Sequence, residues 1–506
     1  MIQEYLNAKN EIHSEYISNM ENTRLINLLK SFSADELREF ELFVTSPFYN
    51  RENALTGLFG ILKQHYPEFT GMDFNKEKIY HELFPGKKFN DPLLRNTFSD
   101  LLKLCEEYLK ISQFRQDKFY SQYLLLKQLT NRKQNSLFVS HVRKIKSVLE
   151  KPGIMDELYY QNTFLLEDEL RRNVIVNSSK VLFDDDNLDK QAYNLRIYHL
   201  TEDIKLYAIL LNQKLFIYDH EFDFEFLETV REYIGKNYKK YSSIPYIAVF
   251  YNCVMLYKTK ERLYFDRLKA GLKKYYRFLS ATDRKNMYMV LSNHCNSEVS
   301  NGRYEFNKVC FEIYKDMIKT KAYLEGNNFM AHYIYNSIAQ NAIASGELKW
   351  AEKFINDFRS HVHSDFRDSS FGLCNSILQI KKENYDKALE SLSIVKPQDI
   401  IFKLKINHTL LIIYFLQNET ESFFSLTDSF RHFLSRNREL REHDKIVYSN
   451  FITYIRKLYK FRTMVKSTDE NELYLLKCQI ESDNKTVSKQ WLLEILCEMT
   501  EPTVTS

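Results

Sequence analysis

Glycine and proline are the scarce residues of this sequence, with 11 Gly and 8 Pro in 506 positions, where average usage is roughly 7% and 5%. Both residues punctuate turns, hairpins and barrel corners. Their scarcity excludes a chain of this length built as a β-sandwich, a β-barrel or a glycine-rich nucleotide-binding enzyme. No Pro lies between Pro152 and Pro245, or between Pro245 and Pro397. Such stretches suit stacked helices joined by short polar turns. Tryptophan is rare too, at 2 residues. The 7 cysteines (Cys105, Cys253, Cys295, Cys310, Cys374, Cys478 and Cys497) form no C-x-x-C pair. Scattered among apolar positions, they read as small core hydrophobes in a reducing compartment.

Other absences narrow the function. No window approaches about 18 uncharged apolar residues, so no membrane span is expected. The first residues, MIQEYLNAKNEIHSEY, lack the charged-then-apolar layout of a secretory leader. The expectation is a cytoplasmic chain. Charge is nearly balanced, 71 Lys and Arg against 67 Asp and Glu, which gives no whole-chain nucleic-acid footprint. There is no G-x-x-x-x-G-K-[ST] phosphate loop, no G-x-G-x-x-G after a strand and no G-x-S-x-G elbow. His81-Glu82 and His220-Glu221 lack the second His of a zinc protease motif. His361-Val362-His363 with Asp365 falls in a predicted inter-helix turn without further ligands. The run Asp184-Asp185-Asp186 lacks calcium-loop spacing and reads as a loop or helix start. The sequence therefore assigns no catalytic residue, no cofactor and no metal ligand, and points to a non-enzymatic protein.

What is present is helical patterning. Apolar residues make up 44% and charged residues 27%, a globular balance. Tyr (35) and Phe (37) supply most of the aromatic content and suit interlayer filling between helices. Residues 1–112 read as an N-terminal helical module. Leu25, Leu28, Leu29 and Phe32 share one helical face. Ser33-Ala34-Asp35-Glu36 is a capping box for a helix carrying Leu37, Phe40, Phe43 and Val44. Asp91 is read as the cap of a helix with Pro92 at its first position. Residues 113–245 read as longer helices, 246–465 as helical repeats, and 466–506 as capping helices with a short tail.

The repeats rest on spacing. Ala351 is followed 37 residues later by Ala388 and 34 after that by Ser422. Each is expected to open the second helix of a pair, where close approach needs a small side chain. Gly302 and Gly346 mark turns, and Leu392 and Leu426 correspond to Phe354/Ile355. This pattern resembles the tetratricopeptide repeat (TPR), a helix pair of about 34 residues. Tyr335, Ala339, Gly346 and Ala351 occupy pattern positions, while Leu348 replaces the usual turn aromatic.

The whole chain also resembles a family of uncharacterised bacterial helical-repeat proteins. The segments that carry this are Leu37-Arg38-Glu39-Phe40 with Ser46-Pro47-Phe48-Tyr49-Asn50, LFPGKKFND from Leu83, and LRNTFSDLLKL from Leu94. Asn293-His294-Cys295 with Asn301-Gly302, KWAEKFI from Lys349, SFRHFL from Ser429 and Trp491-Leu492-Leu493-Glu494 complete it. The resemblance implies an all-α fold, a helical module followed by a TPR-like α-solenoid, and carries over no functional residue.

Charge is locally uneven. Residues 235–280 hold eleven Lys/Arg and two acidic residues, with Tyr238, Tyr241, Tyr275 and Tyr276 interleaved. Lys236, Lys239, Lys240, Lys269, Lys273, Lys274 and Arg277 form the candidate patch for an anionic partner. Residues 431–466 add ten Lys/Arg against three acidic residues. The leading expectation is a scaffold binding a protein or peptide partner that is acidic or offers a C-terminal carboxylate. The alternative is a nucleic-acid-binding regulator. It would use these stretches with stacking tyrosines, or the helix-turn-helix-like segment around Lys76–Phe84 and Arg95.

Overall fold

The structure, a computed structural model, describes residues 21–71, 74–149, 153–177, 185–216, 220–324, 329–396, 400–463 and 470–500. Lys151-Pro152, Asp184, Pro397, Lys466 and the first twenty residues, each used in the sequence reading, lie outside them. The described residues form 24 α-helices and two short 3₁₀ turns, with no strand. The fold is all-α. It divides into two compact units, one from the described residues of 1–150 and 165–184, the other from those of 151–164 and 185–506.

In the first unit the capping box forms as read. Ser33 Oγ accepts from Glu36 N at 3.2 Å, and Glu36 Oε2 accepts from Ser33 N at 2.7 Å. These bonds satisfy two of the orphan donors of the Ala34–Val44 helix. Leu37, Phe40, Phe43 and Val44 are buried from that helix, and Leu55, Leu58, Phe59 and Leu62 from Asn53–Lys63. Asn50 closes the turn between them by donating to Val44 O at 2.8 Å and Glu52 O at 3.1 Å. The cap of the long Asp91–Gln116 helix is Asn90, whose Oδ1 accepts from Leu93 N at 3.0 Å. Asp91 is not the cap, because its carboxylate instead pairs with Lys76 and Arg95.

The second unit is built around the Pro245–Thr259 helix, whose residues from Pro245 to Leu256 are all buried. A helix apolar on every side needs protein all round it. Asp185–Phe216 and Arg262–Tyr275 pack against it. Antiparallel neighbours then follow in chain order. Ala281–Ser300 packs with Phe306–Lys319, His332–Ala344 with Leu348–Asp357, Ser364–Lys381 with Tyr385–Ser393, and Ile400–Gln417 with Thr420–Arg436. The first helices of the last three pairs also touch in succession.

The same turn joins each pair. Gly302, Gly346, Glu383 and Asn418 take φ of +88°, +82°, +60° and +59°. The next residue's N–H reaches five residues back: Arg303 to Glu298 O, Glu347 to Ala342 O, Asn384 to Gln379 O and Glu419 to Tyr414 O, at 2.9–3.0 Å. This is a Schellman closure, which favours glycine at the left-handed position. Two of the four turns hold it without glycine, at a cost of about 1 kcal/mol each. The exposed Glu383 offers a direct check. Glu383→Gly is expected to stabilise the protein by about 1 kcal/mol, read as a higher thermal midpoint.

The turn also fixes the register of the second helices. Ala351 and Ala388, fully buried, donate to Glu347 O and Asn384 O. The equivalent bond in the fourth pair comes from Phe423 N to Glu419 O. Phe423, not Ser422, is the matching residue, and Thr427 rather than Leu426 takes the deeper position. The fourth pair therefore puts a large ring where the second and third put a methyl and the first puts Asn307.

Five cysteines are buried, but Cys478 and Cys497 are exposed on Glu470–Ser482 and Lys489–Thr500. Ile400–Gln417 is long and apolar enough to cross a membrane by length and composition, with mean hydropathy 1.3. It carries Lys403 and Lys405. Its Leu411, Ile412 and Phe415 are buried in one cluster with Phe423, Phe430 and Tyr459.

Candidate functional site

All seven residues of the candidate patch are exposed and lie in the second unit. Lys236 ends the Glu225–Lys236 helix, and Lys239 and Lys240 follow in the short Tyr238–Tyr241 helix. Lys269, Lys273 and Lys274 lie on Arg262–Tyr275, and Arg277 on the 3₁₀ turn Tyr276–Phe278. Lys236, Lys273 and Lys274 occupy last turns, where cations complement the free carbonyls. That role alone accounts for part of the local basic excess.

The geometry splits the patch. Tyr275 OH donates to Ser242 O at 2.8 Å, and the Arg267 guanidinium sits 5.7 Å from the centre of the Tyr238 ring. These contacts bring the Tyr238–Tyr241 turn to the end of Arg262–Tyr275. Lys240 and Lys274 flank this contact, each over the ring of its sequence neighbour, Tyr241 and Tyr275, at 5.5 and 4.6 Å. Lys273 and Lys269 lie about 100° and 140° round the helix from Lys274, at 3.6 residues per turn. The seven cations do not share one face.

The interleaved tyrosines are already occupied. Tyr241 and Tyr275 are buried. Tyr238 lies against Tyr251 at 5.1 Å between ring centres, and its hydroxyl accepts from Asn252 Nδ2 at 2.8 Å. Tyr276 donates to Thr320 O at 3.1 Å, with Arg284 4.6 Å from its ring centre. Each of the four is thus already engaged in packing or a hydrogen bond, which reduces the ring surface left for base stacking.

The second basic stretch is largely tied down. Arg441 pairs with Asp444 at 2.8 Å, Lys445 with Glu442 at 2.6 Å and Arg456 with Asp428 at 2.5 Å. Arg462 donates to Phe415 O at 3.1 Å. Burial, with Arg456 nearby, pushes Arg431 below its ordinary range. Among the described residues, the helices of this stretch share no packing interface with those of the first.

The histidine cluster has a structural role. His361 O accepts from Met330 N at 2.8 Å, and the His363 ring caps Ser364–Lys381 through Asp365 N at 3.4 Å. In the helix-turn-helix-like segment, the entry to Asp91–Gln116 presents Pro92 and a partly exposed Leu93 beside the buried Leu94. Apolar residues at that end do not match the polar side chains a recognition helix needs there.

Two polar clusters, the first buried at Asp283 and the second partly exposed, have no counterpart in the sequence reading. In the first, Asp283 accepts from Tyr246 OH at 2.8 Å and Ser280 Oγ at 2.6 Å, with Lys205 at 3.6 Å and Glu157 3.0 Å from the same lysine. In the second, Glu228 meets Lys258, Tyr207 and Arg231. Burial would raise the Glu228 carboxyl, but those three partners outweigh it and hold it at about 2. Partners separated by up to 126 residues leave no local pattern to find. Both clusters are closed by their own members, an arrangement that ties helices together. Comparison with protein-family models, with curated proteins and with solved structures gives no match.

Proposed function

We propose that the chain is a non-enzymatic, cytoplasmic helical-repeat scaffold that binds an acidic protein or peptide. In this reading the second unit stacks TPR-like helix pairs into an α-solenoid, whose extended concave surface is the binding platform. The observation that carries it is the turn recurring at Gly302, Gly346, Glu383 and Asn418 with the same closing bond. The closure lies inside each of the four pairs and gives them a common turn from first helix to second. The exposed corner of Lys236, Lys239, Lys240 and Lys274 supports an anionic partner.

The test is affinity capture from native lysate with the wild type and a quadruple Lys→Glu variant at 236, 239, 240 and 274. A stoichiometric partner held by the wild type, released by salt and lost by the variant is expected. No stoichiometric partner, or equal retention by the variant, counts against the proposal. Nucleic-acid binding is the second reading and draws on the same cations. With the four tyrosine rings occupied, fluorescence anisotropy with mixed single-stranded oligonucleotides at low salt is expected to stay flat. A salt-steep rise would reverse the order of the two readings.

A further inference from the structure

The first unit holds an open cleft of about 480 Å³, within the 300–1,000 Å³ range of small-ligand sites. Its floor is apolar, formed by Leu94, Phe98 and Leu102 with Leu25 opposite. Its rim carries Arg24, Lys76 and Arg95, and among the described residues no carboxylate lines it. Asp91 stands behind the rim, 3.3 Å from Lys76 and 2.5 Å from Arg95, and so fixes two of the three cations in place. Arg24, Lys76 and Arg95 thus put three cations at the mouth.

The floor has a direction. Leu94, Phe98 and Leu102 recur every four residues along one helix, so they form a strip about 12 Å long at 1.5 Å per residue. Phe98 and Leu102 are half-buried and leave apolar surface on that strip uncovered. A straight apolar chain of about ten carbons matches the strip's length, and an anionic head matches the Lys76 and Arg95 end.

We propose that this cleft binds an unbranched medium-chain monocarboxylate. The tail lies along Leu94, Phe98 and Leu102, and the carboxylate sits at the Lys76 and Arg95 end with Arg24 across the mouth. Binding excludes water from the strip and pairs the head with a charge-assisted donor set. This site is independent of the partner surface proposed for the second unit.

Isothermal titration of the full chain with decanoate and with decylammonium, both below their micelle concentrations, tests it. Decanoate is expected to bind saturably at one per chain, at least about tenfold tighter than decylammonium, which has the same tail and the opposite head charge. Arg24→Glu with Arg95→Glu is expected to weaken decanoate about tenfold or more. Both positions are exposed, a carboxylate at the first turn of Arg24–Lys30 suits that helix, and circular dichroism of the double variant checks folding, because Arg95→Glu sets a second carboxylate beside Asp91. Ser99→Trp, at an exposed lining position, is expected to block the cleft by bulk alone. No saturable heat, equal binding of the two amphiphiles, or wild-type affinity in both variants would overturn the assignment.

Discussion

Gly372→Ala is expected to destabilise the protein by about 1–3 kcal/mol, although alanine is the better helix former. Gly372 lies inside the Ser364–Lys381 helix, where it crosses the end of Tyr385–Ser393. An added Cβ would meet Ser391 O at 2.5 Å, Val395 Cγ2 at 2.8 Å and Ile394 Cγ1 at 2.9 Å. The carbonyl is backbone and cannot swing aside as a side chain would. The neighbouring Ser369 further pins that segment, accepting from Lys396 N and donating to Lys396 O at 3.1 Å. Relief requires the two helices to separate, which loosens the packing around the buried Leu373, Ala388 and Leu392. The matched control is Gly60, an exposed glycine inside Asn53–Lys63 with nothing within 4 Å of an added Cβ. Gly60→Ala is expected to stabilise by about 1 kcal/mol, the ordinary propensity gain. Urea denaturation of the two variants beside the wild type should give shifts of opposite sign. A stabilising Gly372→Ala would mean that the two helices separate at little cost to the packing around Leu373, Ala388 and Leu392.

This contrast shows where the sequence could be read and where it could not. The all-α class and the N-terminal core were legible because their determinants are local. Ser33 and Glu36 stand three residues apart, and Leu37, Phe40 and Val44 repeat at helical spacing. The cap of Asp91–Gln116 slipped by one residue because Asn90 and Asp91 are both capping types. A partner 15 residues upstream, Lys76, decides between them. Gly302 and Gly346 announced two of the recurring turns. The other two were silent because Glu383 and Asn418 do the same job without glycine. With those turns unseen, the fourth pair was aligned on Ser422, one residue before its true equivalent Phe423. The basic stretch at 235–280 was legible as composition. Its division was not, because it depends on Tyr275 reaching Ser242 across 33 residues. The same holds for the tyrosines: their spacing marks them, but only packing says that their rings are used. The cleft in the first unit is assembled from three segments and likewise had no linear signature.

Stability should fall as pH drops from about 6.5 to 4, with His408 as a principal cause. His408 lies in Ile400–Gln417, 4.5 Å from the centre of the Phe451 ring and 6.0 Å from that of Tyr448. Its Nε2 meets Ser488 Oγ at 3.0 Å. Burial pushes the imidazole down to about 4, where the unfolded chain titrates near 6.5. Between those values the unfolded chain binds a proton that the folded chain refuses. The contribution is therefore complete above about 6.5 and is lost as pH falls towards 4. At 1.36 kcal/mol per unit, the loss reaches up to about 3 kcal/mol at the acid end. Burial lowers His294 as well, so it adds in the same direction. His408→Gln keeps a neutral polar side chain facing Ser488 but removes the titrating group. Urea midpoints followed by tryptophan fluorescence suit the measurement, because Trp491 lies 6.4 Å from the same Phe451 ring. The wild-type midpoint is expected to drop between pH 7 and pH 5, and the drop should shrink in His408→Gln. Parallel curves for the two proteins would assign the proton uptake to another group, with His294 the next to replace.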